Sequence, residues 1–195
     1  LRIFSNKQIM RLKERPKFQI LKAISVFVDA DYYTTKEHIE NFKRCNEKMF
    51  ATLEPENKIF CTGYANFLNK LTEQPLPNNL PKSDNLVYHL GESHCLSYAH
   101  QFISINGKEY KILPKITFGA KAFHFARKVN DQYKAITGVH FEKIPKGSNV
   151  FLSFGEIDCR PNEGFITSAK KLNKPIESLI SNTVKGYLNW FAEQN

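Results

Sequence analysis

Between Pro16 and Ala30 the apolar residues Phe18, Ile20, Leu21, Ile24, Phe27 and Val28 recur at three- and four-residue spacing. That period puts them on one broad face and predicts an amphipathic helix. Thr34 followed by Glu37 has the form of a capping box, so a second helix is expected through Ile39, Phe42, Met49 and Leu53. Glu54-Pro55-Glu56-Asn57 opens a third. Proline suits a first turn because the N–H it lacks would be unpaired there, and acidic side chains favour the positive end of the helix dipole. The buried face of this helix would carry Ile59, Tyr64, Phe67, Leu68 and Leu71. Residues 1–74 read as a helical region.

Residues 75–85 are rich in proline and asparagine, have no apolar period, and read as a linker. The pattern then changes. Leu86-Val87-Tyr88-His89-Leu90 has the form of a buried strand, followed by a glycine turn and a helix. Further strands are expected at Tyr110 to Thr117 and Asn149 to Phe154, with helices from Ala120 to about Ala135 and from Pro175 to about Ala192. Strands alternating with helices predict an α/β fold with a parallel sheet, whose ligand sites lie beyond the carboxyl ends of the strands.

Composition narrows the class. With 42% apolar and 24% charged residues, the 195-residue chain can bury a core. Its longest apolar stretch, Ala23 to Val28, is far short of the ~20 residues that span a bilayer, so no membrane span is expected. No secretory signal is visible, and Leu1 in place of methionine reads as the start of a piece cut from a longer protein. Cys45, Cys61, Cys95 and Cys159 are scattered without a C-x-x-C pair, which favours free thiols in a reducing, cytoplasmic setting. No metal ion or cofactor is expected.

The formal net charge is +9, concentrated in Arg2, Lys7, Arg11, Lys13, Arg15, Lys17 and Lys22 and again between Lys108 and Lys146. Such an excess favours anionic partners in general. Neither segment interleaves arginine with aromatic residues or carries a zinc-finger or helix-turn-helix signature, so a solvated basic face is expected rather than a nucleic-acid site.

The residues with chemistry cluster at two turns. Gly91-Glu92-Ser93-His94 follows the first expected strand and Gly155-Glu156-Ile157-Asp158-Cys159-Arg160 follows the third. In a parallel sheet both emerge on one edge. A serine at a strand-to-helix turn lies beside free N–H groups, which suits either a nucleophile with an oxyanion hole or a simple helix cap.

Leu90-Gly91-Glu92-Ser93-His94 resembles the Gly-Asp-Ser block of the SGNH, or GDSL-like, hydrolases. Phe154-Gly155-Glu156-Ile157-Asp158 resembles their Gly-x-Asn-Asp block, and Thr117-Phe118-Gly119-Ala120 stands where they carry an oxyanion glycine. The resemblance covers roughly residues 84–192 and implies a three-layer α/β/α sandwich. It further implies Ser93 as nucleophile, with the backbone N–H groups of Ser93 and Gly119 as oxyanion donors. Glu92 replaces the usual aspartate that braces the turn, and His94 is placed to contact substrate. Glu156, Asp158 and Arg160 would organise the second turn, with Asp158 and Arg160 as a buried ion pair. Ile157 stands at the position of the oxyanion asparagine and cannot donate a hydrogen bond.

The family's base comes from an Asp-x-x-His block that this chain lacks, so the α/β part, residues 86–195, is expected to be incomplete at its C-terminus. Neighbouring helical residues point about 100° apart, which makes His94 a poor base for Ser93. His38, His89, His100, His124 and His140 are expected to be surface or core residues. Leu53 to Asn57, with Tyr64, Ala65, Phe67 and Leu68, resembles a junction between tetratricopeptide-type repeats. Two functions are therefore expected. One is a serine esterase or deacetylase acting on an acylated small molecule, glycan or lipid. The other is a non-catalytic binding protein whose helical region presents a surface to a protein partner.

Overall fold

Residues 15–45, 47–73 and 85–194 are described by the computed structural model. The chain divides into two compact units, Leu1–Leu80 and Pro81–Asn195. The expected linker lies outside the described residues except for Asn85.

The first unit is helical. Helix α1 (Pro16–Val28) begins with proline in its first turn, as the sequence predicts. Helices α2 (Tyr32–Lys43), α3 (Glu47–Ala51) and α4 (Pro55–Glu73) follow. Its core is Ile20, Ala23, Ile24 and Phe27 of α1 with Ile39, Cys61, Ala65 and Leu68. Four details differ from expectation. The helix expected to run on through Met49 and Leu53 is two, the first ending at Lys43 and the second at Ala51. Asp31, not Thr34, caps α2, its carboxylate accepting the Thr34 N–H at 2.9 Å. Leu21 is exposed. Ile59 is exposed as well, because the buried stripe of α4 runs through Cys61, Ala65, Leu68 and Thr72. Leu68 is buried as expected and Tyr64, Phe67 and Leu71 are half-buried, so Ile59 alone of the expected face turns outward.

The second unit holds a four-stranded sheet in the order β2-β3-β1-β4. Strand β1 (Leu86–Gly91) is central and parallel to both β3 (Lys108–Ile116) and β4 (Asn149–Ser153). The sheet is mixed rather than parallel, because β2 (Phe102–Ile105) runs antiparallel to β3. Asn106 and Gly107, with φ of 52° and 74°, make the tight turn between them, the conformation that an Asn-Gly pair adopts in a two-residue hairpin.

The residues after β1 form a 3-10 helix (Ser93–Tyr98) rather than an α-helix. The single helix expected from Ala120 to Ala135 is two, α5 (Ala122–Ala126) and α6 (Gln132–Glu142). Helix α5 ends at Ala126, and Asp131 starts α6 by accepting the N–H groups of Tyr133 and Lys134 at 3.0 and 3.1 Å. Helices α7 (Glu156–Cys159), α8 (Phe165–Leu172) and α9 (Ile176–Ala192) complete the unit.

One face of the sheet is covered by helices. Tyr88 and Leu90 pack there with Ala120, Phe125, Phe154 and Phe191. The opposite face of β1 carries Val87, His89 and Gly91, and the 3-10 helix lies on this side, with Cys95 beside Gly91 and Tyr98 beside His89. Among the described residues the mixed α/β class is plain.

Burial pushes the imidazoles of His89, His124 and His140 below their ordinary range. The unfolded chain then binds more protons than the folded one as pH falls below about 6.5, so these residues stabilise the fold above that pH and lose their contribution below it. Asp158, raised by burial, acts in the opposite sense, as one group against three. The melting temperature followed by Trp190 fluorescence is expected to fall between pH 7 and pH 5. A flat or rising value would contradict it.

Candidate active site

Because β1, β3 and β4 are parallel, their carboxyl ends lie together: Gly91 is opposite Ile116 on one side and Ser153 on the other. The three turns singled out in the sequence leave the sheet along this edge. Close packing at Gly91 requires glycine, since a Cβ there would lie 2.2 Å from Ser153 Oγ and 3.0 Å from Cys95 Cβ.

Glu92 is the hub of the first turn. Its buried carboxylate oxygen Oε2 accepts from the His94 N–H at 3.1 Å, which caps the 3-10 helix. The same oxygen accepts from Ser93 Oγ at 3.2 Å and lies 2.8 Å from His94 Nδ1. Glu92 is therefore the cap, and Ser93 is free of that role. The imidazole of His94 turns to Glu92 and makes no hydrogen bond to Ser93. Cys95 is not a competing nucleophile: it is buried, and burial pushes its thiol up to about 12.

The second turn is arranged differently from expectation. Asp158 and Arg160 do not pair. The Asp158 carboxylate is buried and accepts the N–H groups of Ala122 at 2.7 Å and Phe123 at 3.2 Å, holding the first turn of α5. Burial raises its pKa against the pull of those two donors. Arg160 reaches outward instead, its Nε and Nη2 donating to the Glu156 carboxylate at 2.8 to 3.1 Å and its Nη1 to Glu163 at 3.1 Å. The guanidinium holds Glu156 below the usual carboxylate range. A buried arginine would have to leave water altogether, whereas the planar fork satisfies two carboxylates at the surface. Ile157 is buried.

The edge thus brings together Glu92, Ser93, His94 and Glu156. One donor atom each of Glu92, His94 and Glu156 falls within 4.8 Å of the others. Gly119, at φ 67°, occupies the turn after β3, a conformation that glycine adopts without strain. Asp158 faces a separate cleft of about 250 Å³ between α5, α8 and α9, lined by Phe123, Phe165, Leu172 and Leu179 and containing neither Ser93 nor Glu92.

Sequence reasoning passed over one pair. His89 Nε2 lies 2.8 Å from Ser153 Oγ, and His89 Nδ1 is buried without a partner among the described residues. The signal was present as parity, since His89 and Gly91 are two apart in one strand and share a face. Only the β1–β4 register, which sets Gly91 opposite Ser153, makes it a contact. Comparison with protein-family models, with curated proteins and with solved structures gives no match to this chain.

Proposed function

We propose that the chain is a serine acyl hydrolase of the SGNH type, acting on an ester of a carbohydrate or lipid. The observation that carries this reading is the hydrogen bond from Ser93 Oγ to the buried Glu92 carboxylate at the carboxyl end of a central parallel strand. Ser93 attacks the ester carbonyl, and Glu92 orients the hydroxyl and is the nearest group able to take its proton. The N–H groups of Ser93 and Gly119 hold the oxyanion. Ile157 leaves one donor of the family pattern unfilled, a loss of about 10²–10³ in rate where it has been measured in other enzymes. Turnover by this chain is accordingly expected to be slow.

A second reading, a binding protein without turnover, is favoured by the pairing of His94 with Glu92 instead of with Ser93. The helical first unit would then offer the surface for a protein partner. Labelling with a fluorophosphonate probe separates the two. The native chain should label, and Ser93→Ala should lose the label with no loss of fold. Equal labelling of both removes Ser93 as nucleophile. A folded native chain that takes no label favours the binding protein.

A further inference from the structure

We propose that Glu92, His94 and Glu156 hold a divalent metal ion of the zinc class. An imidazole with two carboxylates is a donor set that such ions accept. In this chain the three come from two turns on one sheet edge, with their donor atoms within 4.8 Å of one another. Bonds of about 2.1 Å around a four-coordinate ion require donors roughly 3.4 Å apart. The remaining closure falls to His94 and Glu156, whose side chains are 54% and 43% exposed.

A second observation points to a ligand. The Glu92 side chain is only 3% exposed, yet its three hydrogen bonds all go to Oε2, and Oε1 takes none among the described residues. Oε1 is not sealed from solvent, so its lone pairs are open to a ligand. Charge gives the same answer. Glu92, Glu156 and Glu163 face two cations, Arg160 and, at 3.8 Å from Glu163, Lys121, so the carboxylates outnumber the cations by one in a chain whose net charge is +9. A divalent ion offsets that excess. Arg160, bonded to both oxygens of Glu156, becomes the outer partner that fixes the ligating carboxylate.

This site does not depend on the acyl-transfer reading. The test is calorimetric titration of the chelator-treated chain with zinc chloride at neutral pH, on a Cys159→Ser background so that the exposed thiol does not compete. The expected result is one ion per chain, with affinity reduced at least about tenfold in Glu156→Gln and in His94→Ala, and unchanged in His124→Ala, which lies outside the cluster. Both altered ligands are exposed, so their variants should fold. No binding by the Cys159→Ser chain, or the same affinity in Glu156→Gln, would overturn the proposal. Neither outcome bears on Ser93, which the fluorophosphonate experiment decides alone.

Discussion

Gly164→Ala is expected to destabilise the second unit by roughly 3 kcal/mol or more, the upper end of what overpacking costs when the neighbouring atoms cannot move aside. Gly164 caps α8 and lies against the backbone of the site turn. A Cβ at this position would be 1.7 Å from the Asp158 carbonyl oxygen and 2.3 Å from its carbonyl carbon. No side-chain rotation relieves that overlap, since both atoms belong to the main chain. The backbone at Asp158 would have to move, and the carboxylate that holds the Ala122 and Phe123 N–H groups would move with it. Its φ of −109° is open to any residue, so the requirement is one of space and not of conformation. Trp190, the only tryptophan, lies in this unit and reports its unfolding in urea. An unchanged midpoint in Gly164→Ala would show that the turn is not packed as described.

Phe125→Ala is expected to cost about 3–5 kcal/mol, since it deletes the ring at the centre of the helical face of the sheet. Phe125 is fully buried, with its ring centroid 4.6 Å from that of Phe154, 4.9 Å from Phe191 and 5.0 Å from Trp190. These tilted arrangements add aromatic attraction to the area buried. Gly186 in α9 lets the helix backbone come close to Ala126, since a Cβ there would lie 2.8 Å from the Ala126 backbone. With the helices held at that distance, the space left by Phe125 cannot close by simple collapse. Phe123, two residues earlier and half-exposed, is the control. Its alanine variant should change the urea midpoint little, and equal effects at the two positions would contradict the assigned core.

Together the two substitutions probe different supports of one edge. Phe125 holds α5 and α9 on the sheet, and Gly164 lets α8 close on the turn after β4. Either loss should disturb the Glu156 position without touching Ser93, so reduced labelling in these variants would follow loss of fold and not loss of chemistry.

Local chemistry was legible where a residue acts within its own segment. Pro16 opening α1, Pro55 opening α4, the apolar strand Leu86 to Leu90 and the long C-terminal helix are all consequences of spacing and first-turn chemistry. The hairpin at Asn106-Gly107 was equally legible in principle, because that dipeptide between two β-rich segments has a local preference for the turn. The start of α6 at Asp131 belongs with it: a side chain that captures two free N–H groups begins a helix from within its own segment.

The sequence by itself determined the α/β class, the position of both glycine-containing turns after strands, and the grouping of Glu92, Ser93 and His94 within three consecutive residues. Tertiary structure decided the partners. Arg160 chose Glu156 and Glu163 over Asp158 because burial favours two backbone N–H donors for Asp158 and leaves the guanidinium in water. Ser153 met His89, and Glu156 met His94, because the β1–β4 register aligned strand ends some sixty residues apart. Periodicity records which face a side chain occupies, but a hydrogen bond also needs a distance, and that comes from how separate elements pack.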